Sequence, residues 1–473
     1  MSSLDSASAD GLPSAAGPQE APAVWPLTAT TVGGQLHIGG VSMPALAEVC
    51  GTPLYVIDEA DFRERARRWR EESGADRVHY AAKAFLCAQM VRWVDAEGLH
   101  LDVCSAGELT LALANGFDPA RIVLHGNNKS LRELAMAVER GVGVVVLDCD
   151  EELDRLAKLA QAAGRVQQVY VRVAPGIGAN THAHIATGSD DVKFGFPIAG
   201  GYAERAVLAV EAAAGLRLGG IHAHIGSQLL DTDGLRAAAR RIGEFVRMLA
   251  QRHQIRVSEV DLGGGAGIAY VPGQVSLEPA KFTSAVRTGL AEVIEPSAVR
   301  LAVEPGRSMI GTAGVTLYRV GVVKDGLRRR FVSVDGGISD ALRPSLYGAR
   351  YTAWVANRAL TGETRHSVVV GRHCESGDIV VPDLALPSDI AVGDLLAVPA
   401  TGAYHSVMAN NYNLQPRPAV ISVADGRARL MIRRETEADL ATRDGAGTPI
   451  EWARAGLVSD PDVDPTRKLE PVG

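Results

Sequence analysis

The run Val78–His79–Tyr80–Ala81–Ala82–Lys83–Ala84–Phe85 places one lysine among small and aromatic residues, just ahead of a helical stretch. It reads as a short buried strand that carries an amine to its end. An ammonium buried without a partner costs several kcal/mol, so Lys83 either reaches water at the strand end or has a chemical task. Other segments bear on that choice. Leu99–Cys104 delivers Asp102 and is followed by Ser105, and Ile122–His125 leads into Gly126–Asn127–Asn128–Lys129. Leu218–Ile225 carries His222 and His224, two apart and therefore on one face of a strand, followed by Gly226–Ser227–Gln228. Such a pair suits metal ligation, but no acidic or cysteine ligands cluster with it in the sequence, and a stacked imidazole before a tight Gly–Ser turn suits a flat heterocycle with a phosphate.

Two later segments extend the set. Asp261–Leu262–Gly263–Gly264–Gly265–Ala266–Gly267 is a glycine loop whose backbone amides can converge on an anion, although such a loop is as often a mere flexible turn. It is not the dinucleotide fingerprint, and it comes late in the chain. Glu304–Pro305–Gly306–Arg307–Ser308 ends another apolar run in a carboxylate, which burial would protonate unless a cation pairs with it. A structural Glu–Arg pair is the plainer reading of that segment. Taken together, an amine, a phosphate nest, a stacking ring and a buried carboxylate are the contacts that pyridoxal 5′-phosphate requires. The lysine would hold the cofactor, and the carboxylate would keep its ring nitrogen protonated and electron-withdrawing.

The elements that must position these residues alternate regularly. The strand candidates are Val78–Ala82, Leu99–Cys104, Ile122–His125, Val144–Leu147, Val169–Ala174, Leu218–Ile225, Val257–Leu262 and Leu301–Glu304. Helix-compatible stretches lie before and between them at Phe62–Glu72, Ala106–Asn115, Ser130–Arg140, Glu151–Ala163, Gly201–Ala214, Asp233–His253 and Pro279–Ile294. Ser130 is an N-cap candidate, and Gly116 and Gly164 are stops. The strands are apolar runs without clean alternation, as in a parallel sheet buried on both faces. Eight strand–helix units over roughly 250 residues predict a closed (β/α)8 barrel, α/β in class, with its site at the carboxyl ends of the strands. A doubly wound open sheet is the alternative.

The rest of the chain divides around that barrel. We expect a disordered tail over residues 1–26, strands over 27–58 that join a second domain, the barrel over 59–308, an all-β domain over 309–456, and a tail over 457–473. Within the second domain Val315–Val323, Arg330–Val334, Ser367–Val370, Leu395–Val398, Ala419–Val423 and Ala428–Ile432 read as strands, with Gln35–Ile38 and Leu54–Ile57 as early contributors. With 47% hydrophobic and 22% charged residues, the composition is that of a globular protein. A net charge of −7 without a basic block speaks against nucleic acid as a partner, and no apolar run approaches the roughly 20 residues of a membrane helix. The five scattered cysteines, Cys50, Cys87, Cys104, Cys149 and Cys374, fit a reducing compartment, so we expect a cytoplasmic protein with neither disulfides nor structural zinc. Cys374, flanked by His373 and Glu375 in a Gly-bearing turn, is either structural or reactive.

The chain resembles the fold-type III, alanine-racemase-like pyridoxal-dependent decarboxylases, and most closely their diaminopimelate-specific branch. The resemblance rests on YAAKA (80–84), HGNNKS (125–130), HAHIGSQ (222–228), DLGGGAG (261–267), EPGRS (304–308), RPSLY (343–347), HCESGD (373–378) and GAYHSVMANNYN (402–413), spread over nearly the whole chain after the tail. It implies that Lys83 holds the cofactor, that His224 stacks on its ring, and that Glu304 pairs with the pyridine nitrogen. Ser227, Gly264, Gly265, Gly306 and Arg307 would surround the phosphate. Arg307, Arg343 and Tyr347 would bind substrate carboxylates, Glu375 an amino group, and Tyr404 both cofactor and substrate. Cys374 would be the proton donor, contributed across a homodimer interface. The implied substrate is a small diamino dicarboxylic acid, meso-2,6-diaminopimelate, converted to L-lysine and carbon dioxide, with no metal. The chain departs from the family at Ser189–Asp190–Asp191, ahead of Lys193–Phe194–Gly195, where His–Glu–Asp or similar is frequent.

Three other readings are weighed against this one. An amino-acid racemase would be expected to set an arginine, not Glu304, at the ring nitrogen. A decarboxylase of ornithine, arginine or a biosynthetic conjugate would have no second carboxylate for Arg343, and Glu375 also discriminates against it. A catalytically dead homologue acting as a binding protein would have no need of both Lys83 and Cys374.

Overall fold

The computed structural model describes residues 15–177, 193–360 and 363–444. Eight parallel strands follow one another around a closed ring: β1 (Arg77–Ala81), β2 (His100–Val103), β3 (Ile122–Leu124), β4 (Val144–Leu147), β5 (Gln167–Ala174), β6 (Leu216–His222), β7 (Glu259–Asp261) and β8 (Arg300–Val303). Closure comes from β8 pairing with β1, Val303 opposite Val78, and from β4 pairing with β5, Val145 opposite Val169.

The apolar runs make strands because both faces are covered. All four residues of β4 are buried. Val144 and Val146 turn inward to a small cluster with Val123 and Tyr170, while Val145 and Leu147 pack outward under the helices. The helices are specified locally. Ser130 and Glu133 form a reciprocal capping box at the start of Leu131–Arg140, and Gly141 closes that helix in the left-handed region. Asp58 caps Glu59–Glu72 by accepting from the N–H groups of Ala60 and Asp61. The 21-residue helix Asp233–His253 buries Leu235, Ala238, Ile242, Phe245 and Leu249 along one stripe.

A buried ion pair locks the loop after β3. Lys129 Nζ donates to Glu152 at 2.8 Å and to the carbonyls of Gly126 and Val146 at 2.7 Å each, with both charged side chains almost fully buried. Removing one partner strands the other charge. Lys129→Met is therefore expected to lower stability to denaturant by about 3–5 kcal/mol, read as an earlier unfolding midpoint. A midpoint within error of wild type contradicts this.

The second domain is a mixed sheet system built on the long strand β9 (Gly314–Asp325). It pairs antiparallel with β10 (Arg330–Val334), with β13 (Leu395–Pro399) and with the early strand Leu54–Asp58. That early strand also runs parallel to β14 (Ala419–Ala424), which turns back into β15 (Arg427–Ile432). On the other side β11 (Thr364–Val370) joins β10 and carries β12 (Ile379–Pro387) at the sheet edge.

Several expectations need correcting. β12 is absent from the sequence reading because Pro382 and Pro387 look like breakers. As an edge strand with register shifts near Val369 and Val381, it accommodates residues that cannot donate to a ladder. Gln35–Ile38 does not join the domain sheet but pairs with Thr30–Val32 and Val41–Ser42 in a three-stranded sheet of its own. Met43–Cys50, read as part of a β stretch, is a helix capped by Ser42 with proline in its first turn. Composition over the first 26 residues predicts disorder, yet residues 15–26 pack on the β domain. Trp25 is 1% exposed, its Nε1 donates to the Ala16 carbonyl at 3.1 Å, and its ring meets Trp354 edge-on. One large aromatic supplies the buried surface that the small residues around it lack.

Candidate active site

The loops at the carboxyl ends of the barrel strands and the facing part of the β domain enclose a cavity of about 420 Å3. Lys83, His224, Ser227, Gly264, Gly265, Glu304, Gly306, Arg307, Arg343, Tyr347 and Tyr404 all line it. Lys83 sits in a single turn, Ala82–Ala84, just past β1, and its accessible surface opens into this cavity. Burial opposes its ammonium, but the Asp102 carboxylate, followed by Tyr404 and Glu304, outweighs it and holds the pKa above the ordinary lysine value. Asp102 is itself pushed up to about 6 by burial, with the Glu304 charge adding to it against His125 and Lys83.

Glu304 follows β8 directly and is 5% exposed. His125 Nε2 lies 2.6 Å from one carboxylate oxygen and His222 Nε2 lies 3.3 Å from the other. Burial alone would raise the Glu304 carboxyl, but the two imidazoles override it and hold it well below the usual range. His222 is pushed down to about 4 by burial, so at neutral pH it is an uncharged N–H donor to that carboxylate. His224, just past β6, is also held neutral, by burial and then by the Lys83 charge. The sequence sets His222 and His224 on one strand face and favours a stacked ring over metal ligation for them. The structure instead brings His222 to His125 and Glu304, with ligand atoms within 4.8 Å of one another.

The glycines are where close approach demands them. A side chain on Gly264 would meet the Glu304 carbonyl oxygen at 2.2 Å, and one on Gly265, at φ +107°, would meet the Gly226 carbonyl at 2.3 Å. The loops after β6, β7 and β8 are thereby drawn together around Ser227 and Arg307, whose Nη2 donates to the serine hydroxyl at 2.8 Å. The Ser308 hydroxyl, buried and without a hydrogen-bond partner among the described residues, lies on the same wall. These features fit pyridoxal phosphate. An amine and an ionised carboxylate share the cavity, the carboxylate keeps lone pairs beyond the two it gives the histidines, and a glycine cradle with a guanidinium and hydroxyls suits a phosphate.

The β domain supplies the remaining wall. Arg343 and Tyr347 come from the short helix Leu342–Tyr347. Tyr404 is held at φ +61°, a conformation rare for a tyrosine, with its N–H on the Ala84 carbonyl at 2.9 Å, and the Arg307 guanidinium rests 4.7 Å over its ring. Sequence reading missed Tyr270, from the loop after β7, whose hydroxyl bonds both Arg307 and, at 2.8 Å, Arg343. It also gave no role to His125 at Glu304. Inward alternation along β3, with Val123 inside, was the available signal for His125, whereas nothing in the local sequence marks Tyr270.

Cys374 and Glu375 are not in the cavity of their own chain. Both are exposed, on the turn between β11 and β12, and Glu375 accepts from the Tyr412 hydroxyl. That turn is fixed by its neighbours. His373 Nδ1 lies 2.8 Å from Asn413 and its Nε2 2.8 Å from the Ser339 hydroxyl, while Asp378 accepts from the His373 and Ile338 N–H groups. Ser189–Asp190–Asp191 lie outside the described residues. Just after them, Phe194 is covered by Arg172 and Lys193.

Comparison with known proteins gives a consistent set. The family described as "Pyridoxal-dependent decarboxylase, pyridoxal binding domain" matches residues 59–311. The diaminopimelate decarboxylase of Actinosynnema pretiosum subsp. auranticum is 46% identical over 424 residues, covering 89% of this chain and 95% of that one. That of Bacillus subtilis is 42% identical over 424 residues, covering 87% and 95%. Among solved structures, the M. jannaschii diaminopimelate decarboxylase in complex with L-lysine superposes with a TM-score of 0.80 at 31% identity, covering 88% of this chain and 98% of that one. No helix among the described residues is long and apolar enough to cross a membrane.

Proposed function

The chain belongs to the pyridoxal-dependent decarboxylases, and we propose that it removes one carboxyl group of meso-2,6-diaminopimelate to give L-lysine and carbon dioxide, the step that ends lysine biosynthesis. The observation that carries this reading is a cavity holding an amine, an ionised carboxylate and two buried arginines together. Two guanidiniums are more than a monocarboxylic amino acid needs. Ornithine and arginine offer no second carboxylate for them, whereas diaminopimelate does.

Bound in this cavity, pyridoxal phosphate supplies an electron sink for the pair left behind when carbon dioxide departs. Lys83 is its covalent anchor through Nζ and the amine that finally frees the product. Ser227, Gly264, Gly265, Gly306 and Arg307 would hold the phosphate, and the neutral His224 ring would stack on the heterocycle. Arg307, Arg343 and Tyr347 hold substrate carboxylates, and Tyr404 orients substrate against cofactor. Glu304, kept ionised by N–H groups from His125 and His222, retains the proton on the ring nitrogen. Cys374 Sγ delivers a proton to the carbon that loses its carboxyl group, and Glu375 answers the distal amino group. Both reach the cavity from a second copy of the chain, which makes the active species a homodimer. Their exposure and their absence from the lining of their own chain's cavity support that arrangement. The odd, scattered cysteines support a cytoplasmic setting.

Two experiments address this reading. Carbon dioxide release is expected from meso-diaminopimelate but not from lysine, ornithine or arginine, and release from ornithine or arginine at a comparable rate contradicts it. Glu304→Gln is expected to keep cofactor affinity within a few-fold of wild type while lowering kcat about 10²–10³-fold, because a neutral amide no longer holds the ring proton. A variant with normal kcat and weakened cofactor binding would make Glu304 structural.

A further inference from the structure

Arg307 and Arg343 come from different domains, and both are buried, at 9% and 7% exposure. Their side chains have only hydroxyl partners among the described residues. Arg307 reaches Tyr270 and Ser227, and Arg343 reaches Tyr270 and Tyr351. Two cations thus meet at one oxygen, and among the described residues no carboxylate pairs with either. Tyr270 is fixed for this position, its N–H donating to Gln274 at 2.9 Å and its ring lying edge-on to Tyr351 at 5.1 Å. The Arg343 guanidinium also lies 5.0 Å from the centre of the Tyr270 ring. A phenol oxygen that accepts from two guanidiniums still has its own proton to give, and among the described residues no acceptor takes it.

We propose that Tyr270 is a specificity-determining residue, which couples Arg307 and Arg343 into one receptor for the substrate's distal carboxylate and donates its hydroxyl proton to that carboxylate. This rests on the reading of the site as one for a diamino dicarboxylic acid. The receptor offers guanidinium N–H groups from both domains and one O–H between them, a set that an anion completes and an ammonium or alkyl end cannot.

The same geometry gives the receptor a pH dependence. Burial would raise the Tyr270 phenol, but Arg307 and Arg343 outweigh it and bring its pKa below the ordinary tyrosine value. The cofactor phosphate, which Arg307 would also hold, opposes this lowering and leaves the Arg343 contribution in place, while the other titratable groups at the cluster do not compete. Tyr351 is pushed up by burial, His405 is pushed down to about 3 and so is uncharged, and the Tyr404 ring meets the cluster only through Arg307. As pH rises through the Tyr270 pKa, a donor becomes an anion that occupies both arginines. Binding of ligands that keep the distal carboxylate, meso-diaminopimelate and the L-lysine left when its other carboxyl departs, should therefore weaken on the alkaline side, and binding of cadaverine, which has no carboxylate, should not share that weakening.

The test uses holoenzyme and the ligand-induced change in its visible absorption, with kcat and KM alongside. In Tyr270→Phe the dissociation constant for L-lysine and the KM for meso-diaminopimelate are expected to rise about tenfold or more near neutral pH, KM being affected more than kcat, while the dissociation constant for cadaverine changes about twofold or less. The alkaline rise in the wild-type dissociation constant should flatten. Tyr351→Phe, which loses contact with Arg343 alone, should keep that rise, and retention of the visible band reports that each variant is folded. Equal losses for L-lysine and cadaverine, unchanged L-lysine binding, or an alkaline rise that survives in Tyr270→Phe would overturn the proposal. Because the absorption change reports binding without turnover, this result stands apart from whether the wild-type enzyme makes lysine.

Discussion

Lys83→Ala is expected to abolish the visible absorption band of the purified protein and to lower turnover by several orders of magnitude. No other described lysine lines the cavity, so nothing takes over as the covalent anchor. Arginines cannot substitute, since they stay protonated. The lysine's environment makes the loss specific: Asp102 leads the charges that stabilise its ammonium, and the Tyr404 N–H bonds to the Ala84 carbonyl of the same turn. An alanine in a turn that is already Ala–Lys–Ala disturbs little else, so the variant should fold. A Lys83→Ala protein that keeps both the band and near-normal activity would remove Lys83 from the account.

The second large effect separates one chain from two. Cys374 lies on an exposed turn outside its own chain's cavity, so the proton-donor role proposed for it requires a partner copy. Lys83→Ala and Cys374→Ala homodimers should each be severely impaired, the latter by about 10²–10⁴-fold, as for loss of a positioned acid. Co-folding the two variants should restore activity. With random mixing about half the dimers are mixed, and each mixed dimer has one site with both wild-type residues, so recovery should reach about a quarter of wild type. Activity no greater than the sum of the two variants alone would mean that both residues act within one chain, or that the cysteine is not the donor.

How much of this was legible in the sequence depends on whether the cause is local. The barrel could be read because each of its strands is an apolar run bounded by caps and stops that act over a few residues, as Ser130, Glu133 and Gly141 do around one helix. Strand ends shifted by at most three residues, and Val144–Leu147 not at all. His224 and Glu304 fall just beyond their strands, where they face the cavity from loops. Edge strand β12 was hidden by its prolines, because tolerance of proline depends on which neighbour is absent, and that is a tertiary fact. The site residues with motifs around them could be proposed from the sequence. His125, which pairs across the barrel with Glu304, and Tyr270, which bridges two domains, act only through partners 179 and 73 positions away. The left-handed conformation of Tyr404 likewise leaves no trace in residue type.

The central claim is that this site breaks a carbon–carboxylate bond and replaces it with a carbon–hydrogen bond. The most direct test is to incubate the holoenzyme with meso-diaminopimelate in deuterium oxide and to analyse the amino acids and the gas together. The account predicts one L-lysine per carbon dioxide, with one non-exchangeable deuterium on the carbon that lost its carboxyl group. Deuterium appearing in recovered diaminopimelate without release of carbon dioxide would contradict it, because that result describes a racemase.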